Sequence, residues 1–427
     1  MFYLIKKLGS NFLISRSLIV ISASFLSNIF GYLFQLGAGR YFSPVEYGIL
    51  VTLFSISGII PLFLIFLTNG IPKLVAEIKD IDYPRKVSSL FYSVMVVNVS
   101  ITIVIIFVLF AGIQLISDFT RIYDFKILTS FIFALSAGLL IISIAPFLQG
   151  LMRFKAYAFA KNAAAVLKLL VLIIVAFFGL GISSIFSGLA ITTIFVGITS
   201  YYLLSRNVIS KFYEFNFIEI NKLIKYSLGG ALGLIGITAM MYIDVILVKH
   251  YFNPLYAGLY SSLAVIGRII FYAASPVAIV MLPICAERYM KGMNYMKPFT
   301  MSILISSTIS GLILTIFILF PDFLVSLLMG DKYIAIADYL PIYGVYMFSY
   351  TLLGILTWFF IAISKFLISS SAIVAPLLQV ILIFFFHNDI KTVILISCIS
   401  IGIVILFQSS MLAKIYIKNR SKSDTLN

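Results

Sequence analysis

Tyr-Phe-Ser-Pro-Val-Glu-Tyr-Gly at 41–48 returns as Tyr-Phe-Asn-Pro-Leu-Tyr-Ala-Gly at 251–258, an offset of 210 that is about half of the 427-residue chain. At the same offset Leu53 matches Leu263, Ile56 matches Ile266, and Ile59-Ile60 match Ile269-Ile270. Each copy lies between two long apolar stretches and has the chemistry of a helical hairpin. Proline cannot continue the helix before it and suits the first position of the helix after it. Ser43 or Asn253 stands where an N-cap is wanted, and Gly48 and Gly258 allow helices to approach closely. These residues read as structural, and their recurrence marks a chain built from two like halves.

Outward from the hairpins, the chain is one apolar stretch after another. A membrane-spanning helix needs about 20 mostly apolar residues. Spans are expected near 17–38, 48–69, 88–116, 127–149, 162–180, 183–205, 227–250, 257–286, 298–320, 334–362, 366–386 and 392–413. The composition agrees. Hydrophobic residues make up 62% and charged residues 11%, against about 25% charged in a soluble domain, so the solvent of this surface is lipid. The expected fold is an all-α membrane protein of about twelve transmembrane helices in two six-helix bundles. An even number of spans per half gives both halves one orientation, related by a pseudo-two-fold axis along the membrane normal.

The charges provide a second test. With the N-terminus inside and the loops alternating, 22 of the 30 Lys and Arg residues fall on the inner side, 6 on the outer, and Lys168 and Arg268 within spans. One miscounted span would scramble this asymmetry. Both termini are therefore placed in the cytoplasm, with the protein in the cell membrane. Residues 1–16, with Phe2, Ile5, Leu8 and Phe12 at helical spacing, read as an interfacial helix. The remaining divisions are a bundle at 17–210, a linker at 211–226, a bundle at 227–414 and a tail at 415–427. The net charge of +15 fits basic loops against anionic membrane lipids rather than nucleic acid.

Catalytic and metal chemistry find no footing. Cys285 and Cys398 are far apart and lie in apolar stretches, and His250 and His387 form no ligand cluster. No P-loop, nucleophile elbow or dinucleotide fingerprint is present. No enzyme, cofactor or metal site is expected, and the chain is read as a monomer.

Several stretches resemble a known family. They are Phe-Ser-Pro-Val-Glu-Tyr-Gly (42–48), Asn-Gly-Ile-Pro-Lys-Leu-Val-Ala-Glu (69–77), Tyr-Ile-Asp-Val-Ile-Leu-Val (242–248), Ala-Gly-Leu-Tyr (257–260) and Met-Leu-Pro (281–283). In order and spacing they are similar to the oligosaccharide flippases of the multidrug/oligosaccharidyl-lipid/polysaccharide exporter (MATE-like) superfamily. The similarity runs over roughly residues 10 to 365. Phe-Phe-Phe-His-Asn-Asp-Ile (384–390) departs from it, lacking a glycine-rich hairpin. The resemblance implies two bundles around a central cavity, alternating access, and a polyprenyl-diphosphate-linked oligosaccharide moved to the outer leaflet.

An ionisable group at mid-bilayer costs about 2.5–3.5 kcal/mol or more and needs a reason. Arg268 lies 14 residues past Pro254, about 21 Å from the outer edge. It reads either as a cation for a diphosphate or as half of a structural ion pair. Asp244 can pair with Arg268, pair with Lys249, or take a coupling H+ or Na+. On helical rises it stands about 13 Å from the Arg268 level. Lys168, read in the inner third of its span, can snorkel inward or recruit an anionic head group. Ser24, Asn28, Gly31 and Gln35 share one face of the first span, as a sugar-contacting wall or as helix packing. Gly229, Gly230, Gly233 and Gly236 suit close packing or a bend.

Two other functions remain in view. A multidrug cation antiporter of the same superfamily favours acids in its cavity, whereas Asp244 is the one acid well inside any span. A polysaccharide polymerase or glycosyltransferase needs a sizeable outer loop, which is not expected here.

Overall fold

The computed structural model describes residues 12–78, 83–205 and 215–424. The interfacial helix expected at 1–16 lies, up to residue 11, outside the described residues, as do 206–214, with the start of the linker expected at 211–226, and the last three residues of the tail; from Phe217 the expected linker is instead part of the helix Phe217–Tyr251.

Every regular element among the described residues is helical. The first long helix is α1 (Phe12–Tyr41). Eleven further segments are long and apolar enough to span a membrane. They are α2 (Pro44–Glu77), α3 (Pro84–Ala111), α4 (Phe125–Gly150), α5 (Phe154–Phe177), α6 (Ile182–Ser205), α7 (Ser227–Tyr251), α8 (Pro254–Met290), α9 (Met296–Leu319), α10 (Asp331–Ala362), α11 (Phe366–Phe385) and α12 (Ile390–Ile417). Twelve helices therefore match the twelve expected spans. The helices extend beyond the expected spans most at Phe217, where the helix that holds α7 starts, at Asp424, where the helix that holds α12 ends, at the end of α2 and at the start of α5. Large apolar side chains such as Phe107, Ile194 and Leu406 are exposed along the spans, as a lipid-facing surface requires.

The hairpin motifs fold as their residues dictate. Ser43 accepts from the Glu46 amide at 3.3 Å, and the Glu46 carboxylate takes the Ser43 amide at 3.0 Å, closing a capping box ahead of Pro44. Asn253 caps the start of α8 by accepting from the Tyr256 amide at 2.9 Å.

The chain packs as two compact units, Met1–Tyr41 with Pro61–Ser227, and Phe42–Ile60 with Leu228–Asn427. The first part of α2 thus packs with the second unit. The crossover falls where α2 leaves α-helical form, in the 3-10 stretch Ile60–Leu64 that contains Pro61. A proline removes one helical donor and permits such a break.

In the first unit α1 and α5 run parallel in register. Lys161 meets Ser24, Lys168 meets Phe34, and Leu172 lies against Gly37. The helices α3, α4 and α6 meet at Phe91, with Phe147 at 5.1 Å and Tyr201 at 6.0 Å between ring centroids. Asn98 of α3 donates to the Leu139 and Leu140 carbonyls at 3.0 and 3.2 Å, just ahead of the interruption between Ile141 and Ile144 in α4.

In the second unit α10 is largely buried, and its Phe359 packs on Phe299 of α9 at 3.9 Å between ring centroids. The glycine face of α7 lies on α10 and α11. A Cβ at Gly236 would stand 2.4 Å from the backbone of Ala372 and Ile373, so these helices touch main chain to main chain, and the glycines serve packing. The α2 and α8 helices cross at their repeat-equivalent glycines. A Cβ on Gly258 would lie 1.9 Å from the Pro44 carbonyl oxygen, and one on Gly48 would lie 2.8 Å from Gly258 Cα. Lys332 donates to the Phe42 carbonyl at 2.5 Å, and Tyr47 meets Tyr333 edge-on at 5.9 Å, flanking the crossing.

Candidate functional site

Two intramembrane polar sites emerge, one within each unit. Asn28, Gln35 and Lys168 belong to the first, and Asp244 and Arg268 to the second.

In the first unit α5 carries its lysines along the polar stripe of α1. Lys161 donates to Ser24 Oγ at 3.1 Å. Asn28 is exposed, and a Cβ at Gly31 would meet nothing within 4 Å. Gln35 is half-buried, with Oε1 enclosed and without a hydrogen-bond partner. Asn162 Oδ1 on α5 is in the same state. An exposed amide on a membrane helix must face water or another polar surface, so this stripe is not a lipid-facing one.

Lys168 stands further along its helix than the expected span boundaries place it. The sequence reading starts the fifth span after Lys161 and leaves Lys168 in the inner third. In fact α5 begins at Phe154, so Lys168 stands about 21 Å along it and only about 13.5 Å from its far end. That is past the middle of the helix. Its Nζ sits 4.4 Å from the centroid of the Phe34 ring, a distance at which a ring face attracts a cation.

In the second unit Asp244 on α7 is fully enclosed. Tyr260 from α8 and Tyr343 from α10 each donate to its Oδ2 at 2.9 Å, and the Val245 amide donates to Oδ1 at 2.8 Å. Arg268 is 6% exposed. Its Nη2 donates to the Met241 carbonyl at 2.7 Å, its Cζ stands 5.1 Å from the Tyr242 ring centroid, and its Nε has no hydrogen-bond partner. The gap of about 13 Å expected between the two levels is largely closed. Met241 lies one helical turn from Asp244, about 4.5 Å along the axis, and the long arginine side chain covers the rest. The opposite charges share one buried region without a contact ion pair. Arg268 is engaged by α7 here rather than open to a ligand.

The tyrosines around this layer escaped the sequence reading. Tyr343, Tyr346 and Tyr350 follow i, i+3, i+7 spacing, one face of a helix. Tyr346 donates to the Met240 carbonyl and Tyr350 to the Ile237 carbonyl, both at 2.9 Å. Without water each hydroxyl needs a protein acceptor, and the α7 carbonyls offer their second lone pairs. Tyr-x-x-Tyr-x-x-x-Tyr is the signal that pointed there. Among the described residues no three His, Cys, Asp or Glu side chains gather as a metal site would need.

Comparison with known proteins completes the description. A family profile described as polysaccharide biosynthesis protein matches residues 39–338. Among curated proteins, none matches the sequence. A multidrug resistance MATE family transporter of the MOP superfamily, in an inward-facing conformation, superposes with a TM-score of 0.75 at 12% identity, over 90% of this chain and 95% of that one. The lipid II flippase MurJ, in an inward closed conformation, gives 0.72 at 15% identity over 93% and 87%. A MOP superfamily transporter from Pyrococcus furiosus gives 0.67 at 12% identity over 93% and 95%. At these identities the likeness is one of fold.

Proposed function

Since the chain belongs to the polysaccharide biosynthesis protein family, we propose that it flips a polyprenyl-diphosphate-linked oligosaccharide from the inner to the outer leaflet by alternating access. The observation that supports this reading is the packing of Lys168 on Phe34 of α1, the helix that carries the Asn28 and Gln35 stripe. A cargo with a diphosphate and a sugar chain needs a cation and neutral hydrogen-bonding groups. This face offers both, with Lys161 and Asn162 one to two turns along. Short of Glu77 at the end of α2, no Asp or Glu lies within the spans of the first unit. That charge pattern favours an anionic cargo over the cationic drugs of a multidrug antiporter. Moving a lipid head group requires no bond to be made or broken, so no catalytic group is needed.

Asp244 is assigned to ion coupling. A buried carboxylate ringed by phenols can exchange a proton or Na+ while Arg268 offsets its charge nearby. Arg268 meets the cargo only if it leaves Met241. The cargo site is therefore placed first on Lys168, Asn28 and Gln35, with Arg268 secondary.

Reconstituted vesicles carrying a fluorescent polyprenyl-diphosphate oligosaccharide test this. Lys168→Met should slow flipping at least about tenfold, the worth of one charge-assisted contact, and Lys168→Arg should retain much of it. Equal rates in Lys168→Met and the parent protein would remove the site. Flipping indifferent to both proton and sodium gradients would remove the coupling role of Asp244.

A further inference from the structure

Gly58 and Arg268 are equivalent in the two repeats, separated by the same 210 residues that separate the hairpin motifs. Both meet one ring, that of Tyr242. The Arg268 Cζ stands 5.1 Å from its centroid. A Cβ on Gly58 would lie 2.4 Å from its Cε2, 2.6 Å from its Cζ and 2.7 Å from its Cδ2. Tyr242 also adjoins Met241, which receives the Arg268 hydrogen bond, and lies two residues before Asp244. Gly58 lies two residues before the 3-10 stretch Ile60–Leu64, where α2 passes from one unit to the other.

We propose that Tyr242 is a positioning residue, tying the charge on the Asp244–Arg268 layer to the bend of α2 at Pro61. Arg268 has one hydrogen bond to a carbonyl, one ring face and an unpartnered Nε. A buried cation satisfied so sparingly is held largely by the field of the nearby carboxylate, because charges act over longer range where water is excluded. Removing the Asp244 charge leaves a buried cation without compensation. Its free energy then falls if the guanidinium moves toward a wetter place. That motion strips the cation from the Tyr242 ring. The ring has little freedom of its own, since only a glycine at 58 leaves room for it. A shift one way presses on the α2 main chain, and a shift the other way withdraws its support. In either case the strain reaches a helix segment whose proline already lacks one ladder hydrogen bond. The relay rests on the ion-coupling reading only for its natural trigger; the contacts themselves do not depend on it.

Hydrogen–deuterium exchange of the full-length protein in lipid nanodiscs, read at the amides of 57–66, tests the relay. Asp244→Asn should change exchange there about 2- to 30-fold, the range of a cation–π contact. Tyr242→Leu should abolish that response, and Tyr242→Phe, which keeps the ring, should restore it. A response undiminished in Tyr242→Leu, or missing when Tyr242 is present, overturns the relay. Should Tyr242→Leu fail to fold, Gly58→Ala replaces it. Its methyl group displaces the ring, so the response must shrink, and an unchanged response overturns the proposal equally. Gradient dependence of flipping is measured separately. Indifference to both gradients alongside an intact exchange response would remove the coupling and leave the relay standing.

Discussion

Replacing Gly258 by alanine probes the α2–α8 crossing most directly. The added methyl would lie 1.9 Å from the Pro44 carbonyl oxygen and 2.4 Å from its carbon. Ordinary contact begins at 3.4 Å, so the helices must part by about 1.5 Å. Neither side yields easily. Pro44 is fixed by its ring and by the Ser43–Glu46 capping box, and Gly258 is buried main chain. Overpacking of this kind costs about 1–3 kcal/mol, which lowers the population of the crossed arrangement roughly 5- to 150-fold. Gly48→Ala is the calibrating partner. Its methyl would meet Gly258 Cα at 2.8 Å and needs a parting of only about 0.6 Å, so its effect should be smaller. Gly402→Ala, with nothing within 4 Å, should have no effect on the crossing. The assay is the labelling rate of a thiol at Leu50→Cys, a fully enclosed position on α2, in a background without Cys285 and Cys398. Labelling should accelerate in the order Gly258→Ala, Gly48→Ala, Gly402→Ala. An unchanged rate in Gly258→Ala, or a larger effect from Gly48→Ala, would refute the reasoning.

Tyr343→Phe removes one of two phenol donors from Asp244 Oδ2 and should cost about 1–3 kcal/mol in thermal unfolding, as an under-satisfied buried group does; no loss would mean the carboxylate finds another donor. Asn98→Leu deletes both bonds to the α4 carbonyls and should likewise destabilise by about 1–3 kcal/mol, read by urea or heat in the same detergent. Asp389 caps the start of α12 by accepting from the Thr392 amide at 2.6 Å, and this bond, with the hydroxyl bond of Thr392, holds its pKa below the usual aspartate value. Its contribution is therefore present above the normal carboxylate range and lost as pH falls below about 4. Asp389→Ala should lower stability by about 0.5–2 kcal/mol at neutral pH, and the difference from the parent should shrink on acidification; a difference that grows on acidification would reverse the assignment.

Much of the fold was legible because a membrane imposes long apolar runs and asymmetric charge. The hairpin chemistry at 43–44 and 253–254 was legible because capping and proline rules are local. The place of Lys168 along its helix was not. Lys155 and Lys161 looked like the edge of a span, yet α5 begins at Phe154 and absorbs Lys161 by giving its ammonium to Ser24. Only a neighbouring helix could reveal that acceptor. Tyr343, Tyr346 and Tyr350 looked like apolar filling, because their partners lie on α7, the Asp244 carboxylate for Tyr343 and main-chain carbonyls for Tyr346 and Tyr350, nearly a hundred or more residues away. The polar stripe of α1 was visible by periodicity. Which residues faced open space, as Asn28 and Gly31 do, depended on where α5 lies.

The sharing of α2 bears on how the protein can be divided. A chain severed between Ser205 and Phe217 would yield two fragments with six spans apiece, yet the piece ending there carries Phe42–Ile60, which packs with the other. Neither fragment holds a complete interior. Expressed alone, the C-terminal piece should bare the face of Gly258 that Pro44 covers and be a poor folder. Co-expressed, the two should find each other through this donated segment, so that a cut backbone still assembles one molecule.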